Sequence, residues 1–152
     1  MGMKFVKQHQ GQKFFVVTLQ LNDGSCPATD YLEALKTADS KAHKRLTNVI
    51  ELHANDGPIM NTEVSRPIKG KAYQGLYEFK TPQGARLYYF NWPGSYTVLT
   101  NGCNKGPDSE MRKCWNKAKS YKEQLEAQVA QAKKTKERKD GSRRRGCRRG
   151  SR

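Results

Sequence analysis

Residues 73–80 (YQGLYEFK) and 85–92 (ARLYYFNW) both alternate in polarity, and they are joined by Thr81-Pro82-Gln83-Gly84. Pro82-Gln83-Gly84 is a three-residue hairpin loop, a type I turn closed by a glycine at positive φ. That loop pairs Thr81 with Ala85, Lys80 with Arg86 and Phe79 with Leu87. Side chains in a strand point alternately to opposite faces. One face of the hairpin therefore carries Tyr77, Phe79, Leu87 and Tyr89, a core surface. The other carries Glu78, Lys80, Arg86 and Tyr88, a set of cations, a carboxylate and a phenol that suits a phosphodiester.

Outward from the hairpin, residues 13–21 (KFFVVTLQL) are rich in β-branched and aromatic side chains and stop at Asn22-Asp23-Gly24, which predicts a strand. Ser25-Cys26-Pro27 opens a helix through Ala38, with proline in its first turn. Asp39 or Ser40 starts a second helix to about Ala54, in which Ala42, Leu46, Val49, Ile50 and His53 recur at helical spacing. Residues 59–72 read as a loop carrying Arg66, Lys69 and Lys71. Trp92-Pro93-Gly94 turns the chain into a strand over 95–101, and Pro107-Asp108 begins a last helix whose apolar pattern fades after Leu125. His53, Trp92, Tyr96 and Trp115 read as core side chains.

The expected class is α+β. Its order is β-α-α-β-β-β-α, with an antiparallel sheet packed against helices and a basic C-terminal tail. Residues 1–12 are expected to be flexible, 13–126 to form the folded domain, and 127–152 to pass from helical to disordered.

Charge narrows the partners. The 152 residues carry a net +15. Residues 133–152 hold eleven Lys/Arg against two acids, and the other 132 hold eighteen against twelve. Both parts favour a polyanion, foremost a nucleic acid. The arginine-rich run SRRRGCRRGSR, with Arg143, Arg144 and Arg145, suits RNA contacts that do not depend on base sequence. Cys26, Cys103, Cys114 and Cys147 lack paired spacing, and the three histidines lie away from them, so neither a disulfide framework nor a metal site is expected. Residues 1–12 lack the apolar core of a signal peptide, and no apolar run reaches membrane length. A soluble, cytoplasmic protein with no cofactor, metal or membrane partner is the expectation.

The segment K-G-K-A-Y-Q-G-L-Y-E-F-K (69–80), the strand A-R-L-Y-Y-F (85–90) and the later N-G-C-N-K (101–105), together with the element order, resemble the RelE-type toxin superfamily, nearest its phage-derived, HigB-like branch. Lys80 stands where that family usually has arginine, Ala85 where an aromatic is common, and Lys105 is followed by Gly106 instead of a second lysine. The resemblance covers about a third of the chain at residue level. It implies an mRNA endoribonuclease acting with or without the ribosome, and a cognate antitoxin that restrains it.

Such an enzyme needs no metal, because the substrate's own 2′-hydroxyl attacks the phosphate. The protein must then deprotonate that hydroxyl, stabilise the phosphorane and protonate the leaving oxygen. Arg86 suits charge stabilisation, since its planar fork holds two phosphate oxygens. Lys80 adds charge at the same phosphate, and Lys105, after the last strand, is a candidate acid or charge stabiliser. Glu78 and Tyr88 are the candidate bases, with Lys69 and Lys71 as backbone contacts. A non-catalytic nucleic-acid-binding or host-modulating protein on the same scaffold is the alternative.

Overall fold

The structure, a computed structural model, describes residues 2–150, apart from the side chains of Lys7 and of residues 136–150. The chain divides into two units, Met1–Lys122 and Glu123–Arg152. The elements are β1 (Lys4–Gln10), β2 (Phe15–Gln20), α1 (Pro27–Ala38), α2 (Ser40–Asp56), β3 (Ser65–Pro67), β4 (Leu76–Lys80), β5 (Ala85–Trp92), β6 (Tyr96–Asn104) and α3 (Asp108–Gly150). A short 3-10 turn, Lys71–Tyr73, precedes β4. The fold is α+β.

The six strands form one sheet in the order β1-β2-β6-β5-β4-β3. β2 runs parallel to β6, and the other neighbours are antiparallel. The β4–β5 register is the one the turn dictates, with Lys80 opposite Arg86 and Phe79 opposite Leu87. Gly84 takes φ +96°, and its N–H donates to the Thr81 carbonyl at 3.0 Å, closing the turn.

Two strands depart from the sequence reading. Residues 4–10, expected to be flexible, pair with β2 as an edge strand that is bulged between Lys7 and His9. The polar, lysine-bearing KFVKQHQ lacks an interior strand's alternation because an edge strand is not required to bury a full face. β3, inside the expected loop 59–72, adds three residues beyond β4 and tolerates Pro67 because no strand follows it.

α1 begins at Pro27, and α2 is capped by Asp39, whose Oδ1 accepts from the Ala42 N–H at 3.1 Å. The apolar faces of both helices, Leu32 and Leu35 from α1 and Leu46 and Ile50 from α2, pack with Val16, Phe79, Leu87, Tyr89 and Leu99. Each such buried side chain contributes about 1.5–3 kcal/mol of transfer free energy.

α1 comes closest to the sheet at β6. The Tyr31 ring lies where a side chain on Gly102 would be: a Cβ there would stand 2.2 Å from the ring. The Tyr31 hydroxyl sits 2.8 Å from Asn104 Oδ1 and 3.2 Å from the Cys103 carbonyl, so the ring is held at both ends. Gly102→Ala should lower stability by roughly 1–3 kcal/mol through overpacking. Urea unfolding should find that penalty largely removed in a Tyr31→Ala background. An equal penalty in both backgrounds would mean that the ring contact is not its source.

Candidate nucleic-acid interface

The hairpin sorts its side chains as the alternation requires. Phe79, Leu87 and Tyr89 belong to the core under α1 and α2, with Tyr77 packed against it. Glu78, Lys80, Arg86 and Tyr88 take the opposite face. That face was expected to be open to a phosphodiester, and here the structure corrects the reading. Glu78, Arg86 and Tyr88 are 2%, 7% and 0% exposed. The first turns of α3 lie on this side of the sheet, where Asn101 Nδ2 donates to the Cys114 carbonyl at 3.2 Å. The Tyr73 hydroxyl donates to Asn116 Oδ1 at 2.7 Å, and its ring meets Trp115 edge-on.

Each buried group has been given a structural partner. Arg86 Nη1 donates to the Ala85 carbonyl at 3.1 Å and approaches the Thr81 carbonyl at 3.4 Å, so the guanidinium closes over its own turn. Glu78 Oε1 accepts from Arg66 Nε at 2.6 Å across β3 and β4, while its buried Oε2 has no hydrogen-bond partner among the described residues. The Tyr88 hydroxyl lies 3.2 Å from Cys103 Sγ. Burial pushes its pKa well above the ordinary phenol range, and the Cys103 contact adds to this, which opposes any role as a base. Burial and the neighbouring Cys114 likewise push the Cys103 thiol up to about 12, so it is unreactive as a thiolate.

The cations nearer solvent are Lys80, Lys105 and Arg66. Lys80 is half-buried, and its pKa is lowered first by desolvation and then by the positive charges of Arg66 and Arg86. Lys80 also borders a cleft of about 380 Å³ together with Arg45, Asn48 and Glu63. Lys105 is exposed, but its backbone is fastened to the hairpin, its N–H donating to the Gly84 carbonyl at 2.7 Å. Thus Lys105 and the turn are brought together, while Arg86 points into the fold. Lys69 and Lys71 are exposed, Lys71 in the 3-10 turn. Arg143, Arg144 and Arg145 lie outside the described side chains.

Arg66, expected in the loop over 59–72, lies in β3 opposite Glu78 and is its ion-pair partner; nothing in the local sequence marks that three-residue strand. Trp92 and Tyr96, read as core, are half-buried, as is Trp115. His53 is a true core residue at 2% exposure. It stacks on Phe14 at 4.8 Å, meets Phe79 and Tyr89 edge-on, and shares a 2.8 Å hydrogen bond through Nε2 with Thr97 Oγ1. Among the described residues no three His, Cys, Asp or Glu side chains gather to hold a metal ion. No described helix is long and apolar enough to cross a membrane. Comparison of the chain with protein-family models and with curated proteins found no match.

Two outcomes follow from these placements. Arg86→Ala should destabilise the fold by about 1–3 kcal/mol because it strips charge-assisted bonds from buried carbonyls, whereas Lys80→Ala should cost under about 1 kcal/mol. Equal urea midpoints for the two variants would contradict the stitching role of Arg86.

Burial lowers the His53 pKa from 6.5 to about 4, so the folded protein holds the neutral ring. The unfolded chain protonates near 6.5, and the stability associated with the neutral ring is therefore present above that pH and lost as pH falls toward 4. Between pH 6.5 and 4, wild type should lose on the order of 1–3 kcal/mol more than His53→Gln. Parallel pH–stability curves would show that the ring is protonated as readily in the fold as outside it.

Proposed function

We propose that the protein binds RNA on a RelE-like scaffold and does not use its hairpin face as a cleavage centre. The observation that carries this reading is the burial of Glu78, Arg86 and Tyr88, with Arg86 committed to the carbonyls of its own turn. What remains toward solvent around the hairpin is Lys80, Lys105 and the half-buried Arg66, a set suited to holding phosphates. The net charge of +15 supports a polyanionic partner, because neutralised phosphates release counterions into solution. RNA, as opposed to another polyanion, follows from the resemblance of the hairpin and its flanks to the RelE-type superfamily. Within the observed order of two strands, two helices, four strands and a final helix, the run β2-α1-α2-β4-β5-β6-α3 is compatible with that scaffold, with β1 and β3 added at the two edges of the sheet.

A second reading is favoured by Lys80, whose amine is brought below its ordinary value by desolvation and then by the guanidinium groups of Arg66 and Arg86. An amine so placed is a better proton carrier than a free lysine. In that reading the protein is a metal-independent endoribonuclease of a toxin–antitoxin or phage-derived system, with RNA bound free or on the ribosome and an antitoxin as partner.

Purified protein should retain labelled single-stranded RNA intact in the absence of divalent ions, with affinity falling steeply as salt rises. Lys105→Ala should reduce the slope of log affinity against log salt by about 1. Metal-independent cleavage that disappears in Lys80→Ala would replace this reading with the second. Absence of any salt-dependent retention would overturn both.

A further inference from the structure

β1, β2, β5 and β6 bring four aromatic side chains together. Phe15 and Tyr96 are register partners in the parallel β2–β6 pair, and Tyr96 is the register partner of Trp92 across β5–β6. Their rings form a continuous chain: Phe15 to Tyr96 at 5.5 Å, Tyr96 to Phe5 at 5.4 Å, and Phe5 to Trp92 at 6.3 Å. Trp92 leans on Phe90, which is fully buried, at 5.8 Å, so the chain is anchored in the core.

The cluster is not itself core. Phe15 is 40% exposed although its neighbours Val16 and Val17 are 0% and 5% exposed, and Phe5, Trp92 and Tyr96 are half-buried. Burying a ring of this size yields a large transfer free energy, so open rings side by side mark a binding surface.

The charge of the strands that carry them identifies the occupant. Residues 1–22, which supply Phe5 and Phe15, contain Lys4, Lys7 and Lys13 and no Asp or Glu, and residues 87–104, which supply Trp92 and Tyr96, contain no charged residue. These strands present rings without any carboxylate to repel phosphate. Aromatic platforms in a positive setting bind single-stranded nucleic acid by stacking, because every base has a π-face.

We propose that Phe5, Phe15, Trp92 and Tyr96 form a stacking platform for the unpaired bases of single-stranded RNA. The proposal rests on the RNA-binding reading and adds to it a second recognition element, distinct from the phosphate contacts around the hairpin. The rings are set before binding: Tyr96 is confined by the turn at Gly94, where a Cβ would stand 3.1 Å from its ring, and Trp92 by Phe90. Ordering them on the ligand therefore costs little.

The chain contains two tryptophans, so Trp115→Phe leaves Trp92 as the sole reporter. Titration of that protein with a short oligoadenylate should quench Trp92 emission to saturation, with anisotropy of the labelled oligonucleotide reporting binding independently. Adding Phe15→Ala should weaken oligoadenylate binding about ten- to a hundredfold. The salt slope and the binding of an abasic oligonucleotide of equal length should not change. Phe15→Tyr should restore binding, which separates loss of the ring from loss of the fold.

Oligoadenylate that binds without quenching Trp92, and equally well to Phe15→Ala, would overturn the platform and leave the RNA-binding reading standing. No binding by anisotropy under any condition would overturn both. A Phe15→Ala variant that abolishes self-association in sedimentation while keeping oligoadenylate affinity would assign the rings to contact between copies of the chain, and would also overturn the platform.

Discussion

The turn at Pro82-Gln83-Gly84 sets the register of β4 against β5, and with it the side of the sheet on which every hairpin residue lies. A slip of one residue would send Phe79 and Leu87 away from α1 and α2 and drive Glu78 and Arg86 into an apolar core. The turn is secured several times over, by Gly84 at φ +96°, by the Thr81 hydroxyl accepting from the Ala85 N–H, and by the Arg86 guanidinium on the Ala85 carbonyl. β6 and the Lys105 loop are attached to this hairpin, and α1 is attached to β6 through Tyr31 over Gly102. The arrangement of the sheet therefore depends on local geometry at a single loop.

A sheet between helices has two interiors, and this decides what its polar residues do. Toward α1 and α2 the interior is apolar and aromatic, with neutral His53 boxed among Phe14, Phe79 and Tyr89. On the other side polar residues are retained and paired, Arg66 with Glu78, Tyr88 with Cys103, and Asn101 with the Cys114 carbonyl, while Glu78 Oε2 is left without a partner among the described residues. Buried polar groups that are paired in this way give specificity to packing and are removed from chemistry with solvent-borne ligands.

The two surfaces proposed to meet RNA differ in kind. Lys80, Lys105, Lys69 and Lys71 offer charge, which confers affinity without reading bases. Phe5, Phe15, Trp92 and Tyr96 offer rings, on which bases would stack with little regard to sequence. Their separation in chemistry makes the two contributions measurable one at a time.

From residues alone, the hairpin register, the sides of its alternating residues, the starts of α1, α2 and α3, and the basic character of the chain were legible. Each rests on chemistry local in the sequence: a turn, a cap, a period of two or of 3.6. Three things were not. KFVKQHQ gave no strand signal because an edge strand takes its pairing from β2. Arg66 gave no sign of its partner because Glu78 lies beyond two turns. The hairpin's polar face looked open because nothing in its own alternation says that α3 will lie on it. Conversely, Trp92 and Tyr96 looked like core because their exposure depends on where the sheet ends. Burial is a property of what packs against a face, and only the tertiary structure decides that.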